Sequence, residues 1–300
     1  MGASDKVGRS PPGGRASQEV TVGALLALAS SVAWGSADVA GGLGARRVGS
    51  LRVIAVNYPA GAIILTIFAI FIVPGTIDRD VILLSIVTAI FGTLGMILIY
   101  AALAVGPMGI VSPLTAIGGA AIPVIAGVVR GEPLTLLFAL GALLALGAVV
   151  LVSRETRPHA RITRRALLLS AGAGIAIGFF LTALGIAPEG SGVWAATLSR
   201  WWSTLGMVIV TVVLISRSGL GKWRPYPWLF AIGAGALDAL ANGLFQLAGQ
   251  DGELAVVAVI GSLYPATTLL IAHFLLKERM SRVQWAGVAL ALGAVVALTV

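Results

Sequence analysis

Residues 132–150 read EPLTLLFALGALLALGAVV, and residues 278–296 read ERMSRVQWAGVALALGAVV. The second stretch is a close copy of the first at an offset of 146 residues, with Glu132 on Glu278, Gly141 on Gly287, Leu146 on Leu292 and Gly147 on Gly293. An apolar chain that repeats at half its length is most simply a tandem duplication. In membrane proteins such halves commonly form a carrier whose site lies where they meet.

Working outward, the composition supports a membrane chain. Of 300 residues, 58% are hydrophobic and 11% charged, with mean hydropathy +1.01. A soluble domain carries about 25% charged residues. The polar segment 1–20, rich in Gly, Ser, Pro and basic residues, reads as a disordered tail. It lacks the adjoining short apolar core and cleavage site of a signal peptide. Net charge +8 and pI 10.8 fit basic membrane loops rather than a nucleic-acid partner. The absence of cysteine removes disulfides, thiolate chemistry and Cys-based metal sites. The 39 glycines suit close helix packing in lipid.

Apolar windows with Gly, Pro and charge punctuation predict ten helical spans. They are 21–41, 51–74, 81–103, 108–128 and 134–152, then 165–186, 192–215, 227–248, 254–275 and 282–300. The first repeat is thus 21–152, the basic linker 153–164 and the second repeat 165–300. Tandem copies with an odd number of crossings must face opposite ways, so the expected fold is an all-α bundle of ten transmembrane helices arranged as a five-plus-five inverted repeat. Counted over the loops, arginine and lysine concentrate on the side opposite the N-terminus, which argues for an external N-terminus.

Several segments together carry a family resemblance. AWGSADV spans 33–39, YAAL 100–103 and GEPLT 131–135, and YPATTLLIAHFLLKERMSRVQWAGVALALGAVVAL runs from Tyr264 to Leu298. A Pro about 13 residues before a Glu, a polar turn, then Gly about nine and fifteen residues past the Glu appear here as Pro265, Glu278, Gly287 and Gly293. This pattern resembles the drug/metabolite transporter superfamily, in its ten-span EamA-type branch. The first repeat departs from it, with Gly119 where the second has Pro265, and span one carries Asp38 where members more often have an apolar or amide residue. The resemblance implies a secondary exporter of amino acids or similar small metabolites in the cell (inner) membrane. It also implies cytoplasmic termini, against the arginine count.

Ionisable residues inside spans are costly, which makes Asp38, Arg200, Asp238 and His273 functional candidates. Asp238, Asn242 and Gln246 recur at i, i+4 and i+8, a polar stripe on span eight, and Trp34 and Asp38 share a face of span one. Asn57 and Arg200 take roughly equivalent places in spans two and seven, allowing a three-residue gap relative to the offset of 146, and Tyr100 matches Gln246 at the unshifted offset. The expected substrate site is a central cavity lined by Trp34, Asp38, Asn57, Tyr58, Tyr100, Arg200, Trp201, Asp238, Asn242, Gln246 and Tyr264. Arg200 could hold a carboxylate and Asp38 or Asp238 an ammonium, which suits a zwitterion. His273, alone on an apolar helix, reads first as structural and second as a proton relay. Glu132 and Glu278 each begin a helix, where a carboxylate caps and complements the dipole. Gly and Pro in spans four and nine mark expected bends.

Other classes fit less well. With only His159 and His273 there is no HExxH, and no phosphate-binding Gly-rich loop with its lysine is present. The chain is therefore expected to be no enzyme and to need no cofactor. It should work by alternating access on a small-molecule substrate, coupled to a proton or to a metabolite gradient, as a monomer or homodimer in the lipid bilayer. The alternative is an exporter of lipophilic cations or other drugs, or a flippase of lipid intermediates.

Overall fold

A computed structural model of the chain describes residues 12–48, 50–106, 108–154, 163–218, 228–277 and 279–299. Glu278 lies outside them, as do residues 1–11 of the tail and 155–162 of the linker; so does the side chain of Tyr100. The helices are α1 (Pro12–Val48), α2 (Ser50–Phe71), α3 (Arg79–Val105), α4 (Met108–Val129) and α5 (Leu136–Val152). They continue as α6 (Arg164–Gly185), α7 (Trp194–Ser218), α8 (Trp228–Asp251), α9 (Leu254–Gly261), α10 (Tyr264–Leu276) and α11 (Arg282–Thr299). Residues 12–20, expected in the disordered tail, are helical and run into the first span.

These segments are helical because in lipid the backbone must satisfy its own hydrogen bonds. Side chains take over at the ends. Asp78 Oδ1 accepts from Val81 N at 2.8 Å, Thr135 Oγ1 from Phe138 N at 3.0 Å and Thr163 Oγ1 from Ala166 N at 3.1 Å, opening α3, α5 and α6. Among the described residues nine spans have the length and hydropathy to cross a membrane, one of them made of α9 and α10 end to end. The 17-residue α5 is the tenth crossing. Large apolar side chains face outward, with Phe71 77% and Leu143 66% exposed, the arrangement of a chain surrounded by lipid.

The bends expected in spans four and nine differ in outcome. The α4 helix is unbroken through Pro113 and Pro123. Span nine breaks at Ser262–Leu263, where the last turn tightens onto Ile260 O and a new helix starts. Pro265 sits in the first turn of α10, where its missing N–H costs nothing.

The two halves pack by one scheme. The α1 helix lies on α8 as α6 lies on α3; α4 lies on α6 as α9 and α10 lie on α1; α2 meets α8 as α7 meets α3. The α2–α7, α4–α9 and α5–α11 pairs join equivalent helices. Residue detail follows suit: Gly141 lies against Leu298, and its counterpart Gly287 lies against Val152, the counterpart of Leu298. Five crossings per half with equivalent packing form an inverted repeat. Where helices touch most closely, glycines meet: a methyl added at Gly118 would sit 2.9 Å from Gly174 Cα.

Candidate functional site

A group of polar residues gathers where α1, α2, α7, α8 and α10 converge. Arg200 of α7 and Asp238 of α8 form an ion pair with side chains 11% and 25% exposed, through Nη2 and Oδ2. The Arg200 guanidinium also lies 5.0 Å from the ring centroid of buried Tyr58 on α2, a cation–π contact. One turn along α8, Asn242 Nδ2 donates to Asp238 O at 2.6 Å and to Asp238 Oδ1 at 3.3 Å. Both partners are acceptors, so the amide nitrogen must face them and the Asn242 carbonyl oxygen is left over. That Oδ1 is buried without a hydrogen-bond partner, and so is Asn57 Oδ1. The α2 and α8 backbones approach this closely because position 235 is glycine: a Cβ there would collide with the Asn57 carbonyl.

Asp38 enters from α1. It is solvent-accessible, yet it lies deep among protein groups, within electrostatic reach of Asp238 and Tyr264 and hydrogen-bonding reach of Thr268. Thr268 has one O–H, and Tyr264 O, 3.0 Å away, competes for it. Trp34, one turn before Asp38, packs its ring 5.4 Å from Phe245 and 6.4 Å from Tyr264, beside the break in span nine.

The structure therefore brings Trp34, Asp38, Asn57, Tyr58, Arg200, Asp238, Asn242 and Tyr264 together. It places two others elsewhere. Gln246 is fully buried, its Oε1 accepting from Ala196 N at 2.8 Å and its Nε2 donating to Ser191 Oγ at 3.1 Å and Gly192 O at 2.9 Å. The amide is spent on the loop between α6 and α7 and on the first turn of α7. Trp201, 43% exposed, turns toward α2 and donates Nε1–H to Thr66 Oγ1 at 3.0 Å. Arg200 and Asp238 bind each other instead of standing apart to clasp a zwitterion. Thr268 and Phe245 join the group without having been singled out; Thr268 follows Tyr264 by four residues, and that helical spacing was the available signal.

Outside the cluster, Glu132 does act at a helix start, but not that of the helix following it. Thr135 caps α5, and the Glu132 carboxylate accepts Leu254 N and Ala255 N, both at 2.9 Å, at the start of α9. Burial and then the Glu132 charge push the neighbouring Glu253 carboxyl above its usual value. His273 packs edge-on against Trp285, 5.5 Å between ring centroids. No group of three or more potential metal ligands occurs among the described residues.

Two cavities of about 260 Å³ lie apart from the polar cluster. One is bordered by Glu189, Gly190, Gln250 and Asp251 at a bundle end. The other is apolar, between α2 and α8, lined by Leu65, Phe68, Leu240 and Leu244 among others.

Comparison with known proteins bears on this arrangement. The profile of the EamA-like transporter family matches residues 21–154 and again 164–300, one match per repeat. No curated protein matches the chain. A solved crystal structure, titled only as that of a protein, superposes with TM-score 0.72 at 14% identity over 93% of this chain and 96% of that one, a likeness of fold. With both repeats matched and ten apolar crossings in place, the chain belongs to the EamA-like transporter family, multi-pass membrane transporters of small solutes.

Proposed function

We propose that the chain is a secondary exporter of amino acids or similar small amphiphilic metabolites, working by alternating access in the cell (inner) membrane. One observation carries the reading: the polar cluster lies at the interface of the repeats, with α1 and α2 from the first and α7, α8 and α10 from the second. A site shared by two inverted halves changes its exposure when one half rocks against the other. The break in span nine, beside Trp34 and Tyr264, offers a joint next to that site. The apolar groove between α2 and α8 supports a second reading, export of lipophilic cations or flipping of lipid intermediates.

The test is uptake into proteoliposomes of purified protein, with labelled amino acids, nucleosides, sugars, quaternary cations and a fluorescent lipid. Saturable amino-acid uptake supports the first reading. Movement of the quaternary cations or the lipid alone favours the second, and a flat response to the whole panel removes both.

A further inference from the structure

The cluster's charge and hydrogen-bond tally narrows its ligand. This rests on the reading of the cluster as the substrate site. The cluster holds two carboxylates, Asp38 and Asp238, and one guanidinium, and Arg200 is joined to Asp238. The pair is close to neutral as a unit, and Tyr58 covers the guanidinium through its ring face. A carboxylate arriving at Arg200 would have to displace Asp238. Asp38 has no cation of its own among the described residues, and the Thr268 hydroxyl beside it is shared with Tyr264 O. Two further acceptors, Asn57 Oδ1 and Asn242 Oδ1, are buried and unpartnered. A buried acceptor without a donor is unfavourable, so two such acceptors near a carboxylate that lacks a cation select a ligand that brings donors and positive charge.

We infer that this site takes a primary amine in its ammonium form. The ammonium supplies three N–H donors and one positive charge, and Asp38, Asn57 and Asn242 are the acceptors available to it. The Trp34 and Tyr264 rings next to Asp38 would flank an apolar body attached to that amine. Recognition runs through the amine, with any carboxylate on the substrate left outside the clasp.

The experiment measures binding to the purified full chain in detergent for probes of matched shape. These are phenethylamine (a primary ammonium), 3-phenylpropionate (an anion), phenethyl alcohol (neutral) and tetraphenylphosphonium (a cation without N–H). Phenethylamine should bind at least tenfold more tightly than each of the others. Asp38→Asn should weaken it tenfold or more, and Asp38→Glu, which keeps the charge, should recover most of that loss. Asn57→Leu and Asn242→Leu should each weaken it several-fold. Equal binding of 3-phenylpropionate or tetraphenylphosphonium, absence of phenethylamine binding, or indifference of a folded Asp38→Asn would each overturn the inference. Specific phenethylamine binding by protein that carries nothing in proteoliposomes would uphold the inference and remove the transporter reading, so the two fail separately.

Discussion

The Glu132 carboxylate accepts the backbone N–H of Leu254 at 2.9 Å, across 122 residues, so the first repeat holds the start of a half-helix in the second. Ala255 N, also at 2.9 Å, completes a two-pronged cap. The first N–H groups of a helix have no intrahelical partner, and an anion there is favoured by the dipole.

Glu132→Ala should therefore destabilise the protein by about 1.5–3 kcal/mol, the range for hydrogen bonds to a charged group. Glu132→Gln, which keeps one acceptor oxygen, should lose less. Thermal unfolding in detergent measures both. Unchanged melting in the alanine variant would remove the cap from the account.

Next to it, Glu253 is raised first by burial and then by the charge of Glu132. A carboxyl raised in the folded state favours folding in its neutral form. Its contribution is full below the ordinary glutamate value and is lost as pH rises through the raised one. Stability should thus fall as pH climbs from the usual glutamate range toward neutrality. Glu253→Gln should flatten that slope and melt higher than the parent at neutral pH. An identical slope in the variant would assign the pH dependence to other groups.

Arg200 and Asp238 can be tested as a pair. Breaking a buried pair by removing one partner typically costs about 3–5 kcal/mol, while removing both costs far less. With Asp238 a quarter exposed, each single loss should fall below that range. The double variant Arg200→Gln with Asp238→Asn should be more stable than either single one. Additive losses in this double-mutant cycle would mean that the two charges are not coupled.

Accessibility separates the two halves of the α8 stripe. The chain has no cysteine, so single cysteines report cleanly. Asp38→Cys and Asp238→Cys should react with a membrane-impermeant thiol reagent if they line the polar site, because the native side chains are not sealed within the protein. Gln246→Cys should stay inert in folded protein, since nothing of the native residue is exposed. Labelling at 246 equal to that at 238 would place the cavity elsewhere.

Helix crossings give a packing test. Gly118→Ala puts its methyl 2.9 Å from Gly174 Cα, so the helices must part and melting should fall by several degrees. At Gly206, where a methyl meets nothing within 4 Å, alanine should be neutral or stabilise by about 0.5–1 kcal/mol through helix propensity. Equal effects at the two positions would contradict the close α4–α6 crossing.

The linear sequence by itself determined much of the fold. Hydropathy and punctuation are local, so ten crossings could be counted, and the Glu132 and Glu278 copies then made the repeat inverted by parity. Spacing was equally informative about shared faces, because 3.6 residues per turn puts Asp238, Asn242 and Gln246 on one side of α8 whatever surrounds them. What covers each part of that face is a different matter. Over two turns the stripe passes from Arg200, where Asp238 and Asn242 join an ion-paired cluster, to the loop before α7 and the first turn of that helix, which consume the Gln246 amide. The same holds for Glu132: its suitability for a helix start was legible, but the helix it caps lies in the other repeat. Periodicity acts over a few residues, whereas these partners are brought together by packing between segments dozens to more than a hundred residues apart, and only the tertiary structure decides which buried charge meets which.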